Sequence, residues 1–184
     1  MLPVLNTARL LLRPLAITDL FDFNEYCSVE GVGEMAGWSH HTSIDESRDI
    51  LTRMVSTGTE YALVLKTTGK MIGTIGIKPS EDTHSPLKPL RGNELGYVLS
   101  KDYWGQGLMP EAVAAVVDMC FASLDAEALY LGIFEDNARS AGVASRLGFS
   151  FRGMNPIPES FPVGERQVGY YMLTKADWKR KKDS

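Results

Sequence analysis

The sequence has little of what several classes of protein require. Its 184 residues include only two cysteines, Cys27 and Cys120, which stand apart in apolar segments and form no CxxC pair. Their spacing argues against a disulfide framework and predicts two buried free thiols. No apolar run approaches the roughly 18 residues of a membrane-spanning helix, and no charged-then-apolar leader opens the chain. We therefore expect a cytoplasmic protein without a membrane partner.

Positive charge is also scarce. The chain has 19 Lys and Arg against 23 Asp and Glu, which gives a formal net charge of −4. Domains that bind nucleic acid usually carry a basic surplus on one face, so we expect no nucleic-acid partner. The basic stretch at residues 175–184 is typical of a solvated surface helix.

What is present is an ordinary globular composition, with 44% hydrophobic and 23% charged residues. This length suits one domain over residues 1–184, with a core at about residues 7–174. Short apolar runs alternate with amphipathic segments, which predicts an α/β domain with a mixed sheet. The predicted strands are residues 7–15, 61–66, 71–77, 95–99, 128–134, 149–154 and 168–173, and the predicted helices are residues 20–27, 43–56, 108–121 and 137–146. A polar stretch with three prolines, residues 79–92, predicts a loop, and a stretch rich in proline and glycine predicts another between the last two strands. Residues 67–70 predict a hairpin turn between the strands on either side of them.

The helix ends also have local signals. Thr18 and Asp19 offer an N-cap for the first helix, and Ser43 with Glu46 has the pattern of a capping box for the second. Gly148 is a natural end for the helix at residues 137–146.

The most informative stretch is residues 93–121, where an apolar strand, a glycine turn and a helix follow one another. Pro110 and Glu111 suit the first turn of that helix. Glycines at 105 and 107 let the backbone approach a ligand, and the free N–H groups of a first helical turn point towards an anion. Taken alone, this pattern is weak, because such a turn is more often only a tight connection with a glycine at positive φ.

Two common nucleotide-binding motifs are absent from this stretch. No Gly-Lys-Ser/Thr follows the turn, so it is not a Walker loop. A third glycine is missing as well, and no acidic residue ends the next strand, which excludes the dinucleotide fingerprint. A phosphate bound here would have to belong to another kind of ligand.

Two motifs resemble those of the GNAT acyltransferase superfamily. The segment Glu94-Leu-Gly-Tyr-Val-Leu, followed by Tyr103-Trp-Gly-Gln-Gly-Leu-Met-Pro-Glu-Ala112, is similar to its acetyl-CoA pyrophosphate loop. The segment Asn137-Ala-Arg-Ser140, running to Arg146-Leu-Gly-Phe149, is similar to its Asn-x-x-Ser…Lys-x-Gly-Phe motif. The tryptophan in the turn and the Asn-x-x-Ser form resemble the RimJ/RimL branch of ribosomal-protein N-terminal acetyltransferases.

The resemblance implies a single-domain GNAT fold, with a mixed, mostly antiparallel central sheet flanked by helices on both faces. It also implies an N-acetyltransferase that moves an acetyl group from acetyl-CoA to a primary amine, either a protein N-terminus or a small molecule. Homodimers are common in the family, so a homodimer is one expected assembly. The cofactor-binding residues that it implies are Tyr97, Val98, Leu99, Trp104, Gly105, Gln106, Gly107, Leu108, Met109, Asn137 and Ser140.

Glu94 and Ser140 are the catalytic residues that the resemblance implies. Glu94 stands where family members place the general base that takes a proton from the acceptor ammonium; the alternative is an ordinary exposed carboxylate at the end of a strand. The hydroxyl of Ser140 could hydrogen-bond the departing thiolate in place of the missing tyrosine, or it could bond only to the backbone. Asn137 could contact the cofactor or act as a plain N-cap.

Trp38, His40 and His41 lie between the first two helices, where this family builds its acceptor pocket. The resemblance therefore implies that they bind the substrate, against the alternative of a solvated turn. Adjacent histidines do not share a face, so we expect no metal site.

Two positions depart from the pattern of the superfamily. Asp102 stands where the loop often has Gln or Arg, and Ala144 stands where many members carry a tyrosine that donates a proton. Ala144 supports a second hypothesis, an acyl-CoA-binding sensor module of the same fold without turnover. Glu94 and Ser140 favour the enzyme.

Overall fold

The structure is a computed structural model that describes residues 2–80, 87–156 and 166–183. The strands are β1 (Leu5–Asn6), β2 (Leu10–Pro14), β3 (Glu60–Leu65), β4 (Met71–Ser80), β5 (Gly92–Leu99), β6 (Ala128–Phe134), β7 (Ser150–Pro156) and β8 (Gln167–Thr174). The helices are α1 (Leu20–Cys27), α2 (Ile44–Thr57), α3 (Leu108–Ser123), α4 (Ala138–Leu147) and α5 (Lys175–Lys182). Apart from the two-residue strand β1, which the sequence did not predict, these bounds confirm the predicted order of strands and helices to within a few residues.

The strands form an eight-stranded sheet in the order β1-β2-β3-β4-β5-β6-β8-β7. The β1–β2, β2–β3, β3–β4, β6–β8 and β7–β8 ladders are antiparallel, whereas β5 pairs with β6 in parallel. A parallel pair needs a long crossover connection, and α3 lies in the chain between these two strands. The mixed, mostly antiparallel sheet that the sequence predicted is confirmed.

The chain divides into two compact units, of which the first comprises Met1–Gly76 and Tyr97–Ala115. Its core is formed where α1 and α2 pack on β3 and β4. Its buried members include Phe23, Tyr26, Leu51, Val64 and Met71. The β3–β4 hairpin turns at Gly69, where φ is +71°, which confirms the predicted turn.

Two helix starts in this unit differ in part from the prediction. The hydroxyl of Ser43 accepts a hydrogen bond from the Glu46 N–H at 3.1 Å, as expected, but the Glu46 carboxylate accepts from Thr42 and so forms only half of a capping box. Asp19, predicted as an N-cap for α1, makes no capping bond to that helix. Its carboxylate pairs with Arg13 instead.

The second unit comprises Ile77–Gly96 and Val116–Ser184. β6 pairs with β8 along its whole length and with β5 only from Gly92 to Glu94. The C-terminal helix α5 differs from the solvated helix predicted, because Trp178 is buried and its indole N–H donates to Asp118 at 2.8 Å. This basic helix is therefore packed against the rest of its unit through the buried side chain of Trp178.

The loop predicted at residues 79–92 begins later than expected. β4 continues to Ser80, into the stretch predicted as a loop, and residues 81–86 lie outside the described part of the chain. The predicted loop between the last two strands likewise lies largely outside it, at residues 157–165. Among the described residues, no helix is long and apolar enough to cross a membrane.

Both cysteines are buried free thiols, as predicted. Burial raises the pKa of Cys27 and of Cys120 to about 12. Neither thiol is therefore ionised near neutral pH, so neither is a ready nucleophile.

Candidate functional site

The turn between β5 and α3 lies within the first unit. After β5, Lys101–Tyr103 form one turn of 3-10 helix. The indole N–H of Trp104 then donates a hydrogen bond of 2.8 Å to the Leu99 carbonyl, and the side-chain amide of Gln106 donates to the Asp102 carbonyl at 3.1 Å. Side chains of the turn thus fix its own backbone and tie it to the end of the strand.

Two glycines give this turn its shape. The φ angle is +74° at Gly105 and +73° at Gly107, a region that residues with side chains rarely adopt. α3 begins immediately afterwards, at Leu108. The first N–H groups of a helix have no partner within it, and the helix dipole adds partial positive charge there. This backbone fits a pyrophosphate, and binding of one by the residues from Trp104 to Met109 stays a prediction.

Two residues near the N-terminus, Thr7 and Arg9, contact the start of α3, and Arg9 also contacts the turn. Glu111, in the first turn of α3, accepts hydrogen bonds from Thr7 Oγ1 at 2.6 Å and from the Arg9 backbone N–H at 2.8 Å. Its other oxygen accepts from Arg9 Nε at 2.7 Å, while Arg9 Nη1 donates to the Gln106 carbonyl at 2.9 Å. The segment before β2 is thereby joined to both the turn and the helix.

The end of β5, at Tyr97, Val98 and Leu99, lies very close to β4. A Cβ placed on Gly73 of β4 would lie 2.3 Å from the Val98 carbonyl oxygen and 3.1 Å from the Leu99 Cα. Only a glycine permits this approach, because backbone atoms cannot give way as a flexible side chain can. β4 therefore determines where the backbone of Val98 and Leu99 lies. Their contact with the cofactor stays a prediction.

Glu94 lies in the second unit, opposite Tyr130 of β6 in the parallel ladder. Its side chain is 34% exposed, and one carboxylate oxygen lies 2.5 Å from the Nζ of Lys88, whose side chain is only 14% exposed. The Lys88 ammonium also lies 4.7 Å from the centroid of the Tyr170 ring. Glu94 is thus a partly buried, ion-paired carboxylate, and its role as general base stays a prediction.

The start of α4 is also in the second unit. Asn137 Oδ1 accepts a hydrogen bond of 3.1 Å from the Ser140 backbone N–H, which confirms the N-cap interpretation. The helix ends at Gly148 with a φ of +86°, as predicted. Ala144, at the position of the family's tyrosine, is fully buried. The roles of the Ser140 hydroxyl and of Asn137 towards the cofactor remain predictions.

His41, in the first unit, is buried among aromatic side chains. Its ring centroid lies 5.0 Å from that of Trp38 and 5.7 Å from that of Phe23. Its Nδ1 lies 2.7 Å from Ser47 Oγ, and burial lowers the pKa of His41. The neutral ring therefore contributes to the packing of this unit. The predicted contacts of Trp38 and His41 with an acceptor stay predictions.

The adjacent His40 has a different environment. Its side chain is 42% exposed, and its Nδ1 lies 2.8 Å from Glu34. This hydrogen bond raises the pKa of His40. Although burial of Glu34 opposes its charge, the bonds that it accepts from the side chain and backbone of His40 lower its pKa to about 2. The pKa values of the two histidines are thus shifted in opposite directions. Contact of His40 with substrate stays a prediction.

Three residues next to the candidate site were not singled out by the sequence: Arg9, Gly73 and Lys88. No local pattern links Arg9 with Glu111, which is 102 positions away. Gly73 was visible only as a glycine within a strand, which generally marks a close backbone approach. That signal could have identified it. Lys88 stood in a stretch taken as a polar loop.

Comparison with known proteins identifies the class to which this architecture belongs. The family model described as "Acetyltransferase (GNAT) domain" matches residues 9–150. The chain is 25% identical over 155 residues to "Uncharacterized N-acetyltransferase p20" of Bacillus licheniformis, covering 82% of this chain and 84% of that protein. The chain therefore belongs to the GNAT acetyltransferase family, and it is an acyltransferase by class.

Two solved structures illustrate the shared fold. One is described as "a putative ribosomal-protein-serine acetyltransferase from Vibrio cholerae", with a TM-score of 0.75, 19% identity, and coverage of 94% of this chain and 97% of that one. The other is RimJ of Mycobacterium smegmatis in complex with CoA-disulfide, with a TM-score of 0.73, 18% identity, and coverage of 95% and 88%. At these identities the likeness is one of fold.

Proposed function

We propose that this chain transfers the acetyl group of acetyl-CoA to the N-terminal α-amino group of a protein, as in the RimJ/RimL branch. The observation that carries the proposal is the glycine turn at the start of α3, with both glycines at positive φ. It provides a backbone cradle for a pyrophosphate within a domain of an acetyltransferase family. The structures of ribosomal-protein acetyltransferases among its structural neighbours support a protein or peptide acceptor over a small amine.

The backbone N–H groups from Gln106 to Met109 would hold the pyrophosphate. The extended segment Tyr97, Val98 and Leu99 would pair with the amides of the pantetheine arm, since an extended chain can add to the edge of a strand. Trp104 supports both parts, because its indole N–H bonds the carbonyl at the end of that segment.

When bound, acetyl-CoA supplies the acetyl group as a thioester. In our proposal the N–H of Val98 or Leu99 faces the thioester oxygen and stabilises the negative charge that develops on it. Loss of one such donor typically costs about a hundredfold in rate. The close approach of Gly73 would keep this N–H in position, because the peptide cannot move towards β4.

Glu94 is the proposed general base. An ammonium has no lone pair, so the acceptor must lose a proton before it attacks, directly to a carboxylate or through water. The ion pair between Glu94 and the Lys88 ammonium supports this role, because it places a cationic amine at hydrogen-bonding distance from the carboxylate. An acceptor ammonium would compete with Lys88 for the same oxygen.

Ser140 is proposed to stabilise the departing thiolate, because its hydroxyl can donate a hydrogen bond to the sulfur. Its backbone N–H is used by the Asn137 cap, which fixes the start of α4. The hydroxyl would take the part that a tyrosine has in many family members, because Ala144 has no polar group. Trp38, His40 and His41 are proposed to line the acceptor pocket, and of the three His40 is an exposed polar candidate.

The experiment is a spectrophotometric assay of thiol release from acetyl-CoA with a panel of amines. The panel contains peptides with Ser or Ala N-termini, the same peptides already N-acetylated, spermidine, aminoglycosides and free amino acids. We expect turnover with a free peptide N-terminus and none with its acetylated control. Turnover with only a small amine would contradict the proposed protein acceptor but would support the proposed acetyl transfer. Tight binding of acetyl-CoA without any turnover would favour the sensor module.

A further inference from the structure

The start of α3 carries an electrostatic conflict if it binds a pyrophosphate. Glu111 lies in the first helical turn, where its carboxylate interacts favourably with the helix dipole but repels an anion bound at the same end. Burial opposes the charge of this group, yet hydrogen bonds from Thr7 and Arg9 lower the pKa of Glu111. An ionised carboxylate therefore stands next to the predicted pyrophosphate seat.

Arg9 counters this charge directly. Its Nε lies 2.7 Å from one Glu111 oxygen, and its backbone N–H donates to the other at 2.8 Å. With the bond from Thr7 Oγ1, the carboxylate has three donors and its side chain is only 18% exposed. The Glu111 carboxylate alone would make the turn unfavourable for an anion. The guanidinium of Arg9 offsets this with a full positive charge.

The second bond of the guanidinium fixes a peptide plane. Arg9 Nη1 donates to the carbonyl oxygen of Gln106 at 2.9 Å. In a planar trans peptide the C=O and the following N–H point in opposite directions. Holding the Gln106 oxygen on the side of Arg9 therefore directs the N–H of Gly107 to the opposite side. That N–H is one of the donors proposed for the pyrophosphate.

We propose that Arg9, held by Glu111, is a positioning residue that orients the Gly107 N–H for the pyrophosphate of acetyl-CoA. The inference rests on the proposed function, since it concerns how that donor is bound. Glycine gives the backbone at positions 105 and 107 more accessible conformations than another residue would. The bond from Arg9 adds to those of Trp104 and Gln106 and holds the Gln106–Gly107 peptide in one orientation.

The test compares two acetyl donors with wild type and Arg9→Gln. Acetyl-CoA carries the pyrophosphate, whereas S-acetylpantetheine has the same thioester arm without it. We expect Arg9→Gln to raise KM for acetyl-CoA about tenfold, the range for a lost charged hydrogen bond, with kcat nearly unchanged. Its kcat/KM with S-acetylpantetheine should match wild type, which a general loss of structure would not permit.

Arg48→Gln is the matched control, because Arg48 also forms an ion pair with a nearby carboxylate, that of Asp45 on α2. It should leave both donors unaffected. If Arg9→Gln is unfolded by circular dichroism, Arg9→Lys is measured in the same way, since lysine keeps the charge but cannot bond Glu111 and Gln106 together.

The outcomes separate the inference from the function beneath it. An equal loss with both donors, or no loss with acetyl-CoA, would overturn the role of Arg9 while leaving the acetyltransferase proposal intact. Failure of the wild-type protein to bind acetyl-CoA in calorimetry would overturn the proposed function and this inference together.

Discussion

Helices α3 and α4 begin in opposite ways, although the sequence predicted a contact with the cofactor at both. α3 follows Gly107, which has no side chain to cap it. α4 follows Asn137, whose side chain accepts the Ser140 N–H at 3.1 Å. A capped helix start has already used part of its donor capacity, whereas an uncapped one keeps it for a ligand. The comparison favours α3 as the anion site and gives Asn137 a structural role first.

The carboxylates of Glu111 and Glu94 differ in the same sense. Glu111 has three donors on its two oxygens and an 18% exposed side chain. Among the described residues, the hydrogen bond to the Glu94 carboxylate comes from Lys88, and the side chain is 34% exposed. A carboxylate with every oxygen engaged serves position, while one with a single partner retains acceptor capacity for a proton. We therefore expect Glu111 to have a structural role, and Glu94 remains the predicted general base.

Gly107→Glu should have the largest effect, because it tests the start of α3 as the binding site of acetyl-CoA. The substitution puts a side chain and a negative charge into the predicted pyrophosphate seat, and it strains a residue whose φ is +73°. We expect acetyl-CoA binding to be lost in isothermal titration calorimetry. Gly69→Glu is the control, because Gly69 has a φ of +71° in an open hairpin turn with no atom near its Cβ position. Unchanged affinity in Gly107→Glu would remove the turn as the cofactor site.

Glu94→Gln should lower kcat by about a hundredfold, within the usual contribution of a general base, while KM for acetyl-CoA stays nearly constant. The deficit should be greatest at low pH, because the fraction of acceptor amine that is already neutral grows as the pH rises. The measurement is the pH–rate profile of both proteins.

A deficit that does not change with pH would eliminate Glu94 as the base. Glu25→Gln provides the control, because Glu25 is likewise paired with a lysine, Lys70, at 2.5 Å. This variant should keep the wild-type profile.

Asn137→Ala should have a smaller effect, chiefly on stability. Loss of the cap is expected to lower the free energy of unfolding by about 1 kcal/mol, measured by urea denaturation. Thr174→Ala removes the equivalent cap of α5, where the Asp177 N–H donates to Thr174 Oγ1 at 3.1 Å. If Asn137 also contacts the cofactor, its variant alone raises KM for acetyl-CoA. Equal KM values in both variants would leave Asn137 as a cap only.

The Glu34–His40 pair should give the smallest effect, visible as a pH dependence of Tm. The contribution of Glu34, whose pKa is lowered from 4.5 to about 2, is present above pH 4.5 and is lost as the pH falls through 2. The contribution of His40, whose pKa is raised from 6.5, is present below pH 6.5 and is lost as the pH rises through the raised value. The pair is therefore fully formed between pH 4.5 and 6.5.

His40→Gln should lower Tm most within that window and converge with wild type at alkaline pH. Glu34→Gln should show the same window, and the double variant should be no less stable than the single ones, because both changes remove one interaction. A Tm difference independent of pH would contradict the ion pair.

Much of the fold could be predicted from local sequence. The apolar run of β6 and the Gly148 stop of α4 have strong local signals, because burial patterns and glycine at positive φ depend on neighbouring residues. The glycine turn and the Asn137 cap were found for the same reason. The prediction that Asp19 caps α1 was wrong, because a carboxylate before a helix can form an ion pair instead, as Asp19 does with Arg13.

By itself, the sequence determined the order of strands and helices, the shape of the turn at Gly105 and Gly107, and the resemblance to the GNAT family. Only the tertiary structure decided which partners these elements meet. It brought Arg9 to Glu111 across 102 positions, Gly73 to the backbone of Val98, and Lys88 to Glu94. Local patterns encode backbone preference and burial, whereas these contacts depend on which strands become neighbours, and hydrophobic periodicity does not specify that.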